Sequence, residues 1–320
     1  MAEHIVLESV VPFEQGGGRL DQIAARCFPD FSRAKLQAWI KQGELTVDNV
    51  ARKPKDKLYG GELLRLNALV EDDETHQPEE IELNIVYEDD DILVLNKPEG
   101  LVVHPAAGHH SGTLLNALLH HCPDLASVPR AGIVHRLDKD TTGIMVVAKN
   151  LAAHTSLVAQ LQDRAISREY EAIACGVMTA GGTVDQPIGR HPTQRTKMAV
   201  IDSGKEAVTH YRVLHRFRAH THVRVKLETG RTHQIRVHMS HIHYPLLGDQ
   251  VYGGRLKLPK GASSEFISSL QQFKRQALHA RQLGLYHPTT DDYMEWETPL
   301  PEDFKQLLQL LADDQQSCEA

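Results

Sequence analysis

Residues 135–143 read His135-Arg136-Leu137-Asp138-Lys139-Asp140-Thr141-Thr142-Gly143. Asp138 follows an arginine and precedes a Thr-Thr-Gly turn. The run Ile144-Met145-Val146-Val147-Ala148 comes next, bounded by Gly143 and Asn150. Short, apolar and rich in β-branched residues, it predicts a buried strand. Asp138 therefore sits on a loop entering a core strand, where a rigid scaffold can aim a reacting group. A carboxylate so placed can act as a nucleophile or as a general base. The plainer reading is a surface turn in which Asp138 caps its own backbone.

The nine-residue run resembles the active-site signature of the RluA-type pseudouridine synthases. Other segments match that family in its order. They are Asn96-Lys97-Pro98-Glu99-Gly100-Leu101 with Val103-His104-Pro105, then Arg168-Glu169-Tyr170, then Gly230-Arg231-Thr232-His233-Gln234-Ile235-Arg236-Val237-His238. Pro245-Leu246-Leu247-Gly248-Asp249 and Tyr252-Gly253 follow. One small departure is Ala106-Ala107-Gly108, where relatives carry a glycine straight after the proline.

The resemblance implies isomerisation of uridine to pseudouridine in 23S ribosomal RNA, with the helix 69 stem-loop as the suggested target. Asp138 would be the catalytic carboxylate, Arg236 its guanidinium partner, and Tyr170 the ring that stacks on uracil. An ion pair of this kind favours the charged carboxylate and fixes its direction. The target base must leave its stack to reach Asp138. Arg136 would contact or fill the vacated space, and Leu137 and Ile235 would wall the base. Arg231 and His233 join them as expected RNA contacts. The residues leave open whether Asp138 attacks the sugar, attacks the base or removes a sugar proton. The competing reading is a noncatalytic RNA-binding or ribosome-assembly factor on the same fold, which would have no need of Asp138, Tyr170 and Arg236 together.

The elements that must carry these residues follow from pattern. Leu20, Ile23, Ala24 and Cys27 share one face of a predicted helix. Leu36, Trp39 and Ile40 share a face of a second, with Ser32 as its cap and Gly43 as its stop. Leu45–Val47 and Leu63–Leu66 read as short strands around the Lys-rich loop 52–57. This layout resembles an S4 RNA-binding domain, in which Arg33, Lys35, Lys41 and the loop would contact phosphates without reading sequence. Further on, Ile92–Leu95, Tyr170–Val177 and His222–Leu227 read as strands; the last alternates apolar and polar residues. Helices are expected at 113–121 with Ser111 as cap, at 152–164 with Asn150 as cap, and at 232–241. The expected class is α+β, with a mixed, mostly antiparallel sheet flanked by helices. Residues 1–16 are read as an arm, 17–70 as the S4-like domain, 71–84 as an acidic linker and 85–320 as the catalytic domain.

Composition sets bounds. The 320 residues are 41% hydrophobic, enough for about two cored domains. The formal net charge is −7, yet its distribution is uneven. Residues 92–288 hold 24 basic and 13 acidic residues, and residues 68–91 hold 11 acids and no Lys or Arg. Basic blocks of this kind could follow a phosphate backbone. Cys27, Cys122, Cys175 and Cys318 form no Cys-x-x-Cys pair, so a reducing cytoplasm fits and a disulfide framework does not. Neither a secretory signal nor a bilayer-spanning run is expected. His233, His238, His241 and His243 lie close in sequence, but without a His-Glu-x-x-His or cysteine pattern no metal is expected. No cofactor is implied, the partner would be 23S rRNA or a large-subunit precursor particle, and the protein is expected to act as a monomer.

Overall fold

The computed structural model describes residues 3–29, 31, 33–70, 77–105, 111–194, 196–254 and 256–319. The chain divides into two compact units, Met1–Thr75 and His76–Ala320.

In the first unit, β1 (Glu3–Val10) precedes α1 (Leu20–Cys27) and α2 (Arg33–Gln42), followed by β2 (Leu45–Val47) and β3 (Leu63–Val70). The three strands form an antiparallel sheet in the order β1-β3-β2. Leu20, Ile23, Leu36, Trp39, Ile40, Leu45 and Leu64 fill its core. The two helices and two short strands lie where their periodicity put them. The expected arm is different: residues 3–10 pair with β3 from Glu3↔Val70 to Val10↔Leu63. Val6 and Val10 of this strand are exposed, so it lacks the clean alternation that would have announced it. The expected Ser32 cap lies outside the described residues.

The second unit is built on one large sheet. Its strands are β4 (Ile85–Glu88), β5 (Ile92–Lys97), β6 (Thr142–Ala148), β7 (Ser167–Cys175), β8 (Gly182–Asp185), β11 (Val208–Arg216), β12 (His220–Leu227), β13 (Leu278–Tyr286) and β14 (Tyr293–Glu297). A separate hairpin is formed by β9 (Ile188–Arg190) and β10 (Met198–Val200). The order is β4-β5-β6-β13-β7-β12-β11-β8, with β14 also on β13. Every pairing is antiparallel except β6 with β13. Helices α3 (Leu114–His121), α4 (Leu151–Gln162), α5 (Gln234–His241), α6 (Ser264–Gln272) and α7 (Glu302–Glu319) complete the α+β unit. Asn150 caps α4 as expected, accepting a hydrogen bond from Ala153 N–H at 2.8 Å. The cap of α3 is Thr113 rather than Ser111: Asn116 Oδ1 accepts from the backbone N–H and the hydroxyl of Thr113 at its N-terminus.

One feature of this sheet positions the signature loop. β6 pairs with β13 only at Thr142 and Gly143, and β14 takes the same edge of β13 from Gln282 onward. The sheet forks there. Past the fork Ile133 bridges to Val147, and Val146 N–H donates to His135 Nε2 at 3.1 Å. The segment leading to Asp138 thus seals the open edge of β6. The bond needs a neutral ring with its proton on Nδ1, and burial pushes the His135 pKa down to about 3.

Candidate active site

Asp138 opens onto a cleft of about 780 Å³. Nearly every residue of its turn is tied down. Thr141 N–H donates to the Asp138 carbonyl at 3.1 Å. Lys97, at the end of β5 and fully buried, donates from Nζ to the carbonyls of Lys139 (2.8 Å), Pro98 (2.7 Å) and Leu101 (2.9 Å). Desolvation pushes that amine down to about 8. Gln276 Nε2 reaches the Thr141 hydroxyl at 2.9 Å, and Thr142 Oγ1 lies 2.8 Å from His279 Nδ1.

Arg236, on α5, brings the counter-charge. Its Nη1 donates to Asp138 Oδ2 at 2.8 Å. Its Nε and Nη2 grip Asp249 in a fork, at 2.7 and 2.9 Å. Asp249 also accepts the backbone N–H groups of Val251 and Tyr252. Burial opposes the charge on Arg236, but the two carboxylates outweigh it and raise its pKa above the ordinary value. Burial likewise opposes the Asp249 carboxylate, and Arg236 holds its pKa below the usual range. Asp249 therefore fixes the guanidinium that fixes Asp138.

The other oxygen of Asp138 faces differently. His233 Nε2 stands 3.8 Å from Oδ1. His233 precedes α5 in a left-handed conformation, with φ of 56°. The Tyr252 hydroxyl accepts Met198 N–H at 2.9 Å and lies 2.8 Å from His233 Nδ1. In the tautomer whose Nδ1 accepts the phenol proton, the Nε2–H of His233 faces Asp138. Tyr170, from β7, lines the cleft at 6% exposure, and burial raises its phenol pKa. Leu137 and Ile235 are buried at the cleft wall, while Arg136 is exposed at its rim. Arg231 lines the same cleft, its Nε donating to the Glu206 carbonyl at 2.9 Å.

A search of family models matches residues 91–241 to the RNA pseudouridylate synthase family. The ribosomal large subunit pseudouridine synthase D of Pseudomonas aeruginosa is 64% identical over 317 residues, covering 99% of both chains. Its namesake in Escherichia coli K12 is 58% identical, over 98% of this chain and 97% of that one. The chain belongs to the RNA pseudouridylate synthase family. The fold agrees: human RNA pseudouridylate synthase domain containing 4 superposes on 72% of this synthase and 93% of its own length, with a TM-score of 0.56 and 29% identity.

In this synthase eight of the eleven residues given a catalytic or RNA-contacting role from sequence line one cleft. Arg33, Lys35 and Lys41 belong to the first unit. There Arg33 donates to buried Asp21 at 2.6 Å, and Lys35 lies over the Trp39 ring at 5.5 Å. Burial opposes the Asp21 charge, but Arg33, Gln37 and Arg19 hold its pKa down to about 2. Arg33 is thus already engaged by a structural carboxylate. Sequence reasoning gave no role to Lys97, Asp249, Tyr252 or Arg168. All four lie in the motif segments named from sequence, but nothing local says that Asp249 grips Arg236. The histidines 233, 238, 241 and 243 do not converge on a metal site. Among the described residues only Asp89, Asp91 and His287 lie close enough to share an ion, and their carboxylates already cap backbone N–H groups and bind neighbouring side chains.

Proposed function

We propose that this synthase converts uridine to pseudouridine in large-subunit ribosomal RNA, with Asp138 as the reacting carboxylate. The observation that carries the assignment is the Asp138–Arg236–Asp249 chain at a cleft floored by Tyr170. Arg236 occupies Oδ2, so Oδ1 is the oxygen available to substrate. An extruded uridine would place its ring on Tyr170 between Leu137 and Ile235, and Arg136 at the rim would contact the RNA it leaves. His233 would donate to the sugar or to a water beside Oδ1. Arg231 would meet the phosphate backbone, as would Arg33 and Lys35 of an S4-like first unit. The names of the relatives direct the reading to the large subunit, and the helix 69 stem-loop of 23S rRNA is the proposed target. We place the activity in the cytoplasm, on rRNA or a precursor particle, with the protein acting as a monomer. No helix among the described residues is long and apolar enough to cross a membrane.

Tritium release from C5-labelled uridine in the RNA tests the assignment. Asp138→Asn should lower the rate by at least about 1,000-fold while RNA affinity stays within about threefold, since the change removes a reacting group and not a binding surface. Activity within tenfold of wild type would sink it. The carboxylate, guanidinium and phenol all come from the chain, so activity on a short stem-loop should persist in excess EDTA. Loss of activity that zinc restores would reassign the chemistry.

A further inference from the structure

Arg168 is the second residue of β7, two residues before Tyr170, so both side chains leave the same face of the strand. Both line the cleft of Asp138. Arg168 is only 7% exposed, and its Nε–H has no acceptor. Its Nη2 makes one long hydrogen bond, 3.3 Å, to the carbonyl of Glu228. Among the described residues no carboxylate pairs with it. Its neighbours differ: Arg164 pairs with Glu206 and Glu228, and Arg236 with Asp138 and Asp249. A β-carbon on Gly230 would stand 2.7 Å from Arg168 Nη1, so the missing side chain there makes room for the guanidinium. Burial pushes its pKa below the ordinary guanidinium value. A buried cation without a counter-ion costs stability, and proteins keep such groups where a ligand completes them.

We propose that Arg168 is a catalytic residue that hydrogen-bonds a carbonyl oxygen of the flipped uracil and stabilises the negative charge the base acquires during the reaction. The inference rests on the proposed function and names a second contact within the same site. The near-total burial decides for the base over the RNA backbone. A phosphate would stay at the rim, where Arg136 is exposed, whereas a group 7% exposed on the strand face of Tyr170 is met only by what enters the cleft.

The chemistry calls for such a cation. If the C1′–N1 bond breaks, its electron pair stays on the pyrimidine and spreads onto O2 and O4. If instead the carboxylate adds to C6, the C5–C6 π pair moves onto O4. On the second route the C1′–N1 bond breaks after the carboxylate has added. The base then turns, C5 bonds to C1′, the C5 proton leaves to a base, N1 ends protonated, and any bond to the carboxylate is released, so the net change is an isomerisation. On either route a uracil oxygen is more negative in the transition state than in the bound substrate. A preformed donor in a desolvated site stabilises that difference, typically by about 100-fold in rate or more.

The test uses the full chain with Arg168→Met and Arg168→Lys, and a stem-loop carrying uridine, 2-thiouridine or 4-thiouridine at the target. Arg168→Met should slow single turnover by about 100-fold, about 2.7 kcal/mol, with RNA Kd within about threefold. Arg168→Lys should recover part of the rate. Sulfur is the poorer acceptor, so wild type should lose about tenfold on one of the two thio substrates, and Arg168→Met should show no such selectivity. An unchanged rate with weaker binding and a shallower salt dependence would make Arg168 a phosphate contact and overturn the inference. So would wild-type rates on both thio substrates, an arm that needs no variant to fold. Failure of wild type on the uridine stem-loop itself would count against the proposed function, and the inference would fall with it.

Discussion

At residue scale, two carboxylates and one guanidinium are linked in a single chain at the cleft. Arg236 is shared: one nitrogen serves Asp138, and two serve Asp249. Asp249→Asn would keep the size but remove the charge that holds the fork. A freed guanidinium would pull on Asp138 alone, or swing from it. Single-turnover rate should fall by roughly 10²-fold with Asp138 untouched, because misplacing a reacting group by about 1 Å costs that much. Arg236→Lys should lose at least as much, since one ammonium cannot bridge both carboxylates with the same geometry. Tritium release measures both, and a thermal melt alongside separates misplacement from unfolding. Asp138, Tyr170 and Arg236 were legible in the sequence because their motifs are local. Asp249 also lies in a motif, but its role could not be read: its partner is 13 residues away around a turn, and only the closure of that turn puts the two in contact.

The fork between β6, β13 and β14 is the decisive element. Gly143 lies in it, with φ of 118°. A β-carbon there would collide with the backbone of Ala280 in β13. Gly143→Ala should therefore destabilise the protein by about 3 kcal/mol or more, combining strain with a clash that neither strand can relieve. Urea unfolding, compared with Gly254→Ala, checks this; Gly254 also has positive φ but nothing within 4 Å of its added carbon. The alternation of β12 and the apolar run of β6 were readable from sequence. The insertion of β13 between β6 and β7 was not, because strand order depends on contacts between residues 106 to 137 apart, which no local period encodes.

At the scale of the whole molecule, each unit has its own hydrophobic core. Removing residues 1–75 should leave a folded second unit with Asp138 still paired to Arg236. RNA affinity should drop, and its salt dependence should become shallower as phosphate contacts are lost. Binding isotherms at several salt concentrations, with circular dichroism to verify folding, give the outcome. The large sheet also predicts acid sensitivity. Burial lowers the pKa of His135 to about 3, and of His220 and His279 to about 4, from an ordinary 6.5. Unfolded, these rings take up protons below pH 6.5 that the folded state refuses. Their stabilisation is complete above that pH and is lost as pH falls toward 4. The slope should approach about 4 kcal/mol per pH unit near pH 5 if all three act fully. Chemical denaturation between pH 7.5 and 5 measures it, and His279→Gln should flatten it.

The sequence by itself determined what is local. It placed Asp138 on a loop before a buried strand, gave α1 and α2 their apolar faces, capped α4 with Asn150, and ordered the motifs of a pseudouridine synthase. Those signals are short-range: side-chain period, turn chemistry and caps act within a few residues. Tertiary structure alone decided the rest. It brought Arg236 across 98 residues to Asp138, paired residues 3–10 with β3, and buried Lys97 beneath the loop. It also left Arg168 in the cleft with no carboxylate partner among the described residues. Each of these is a meeting of distant segments. Strand pairing, charge pairing and burial of this kind exist only once those segments have come together.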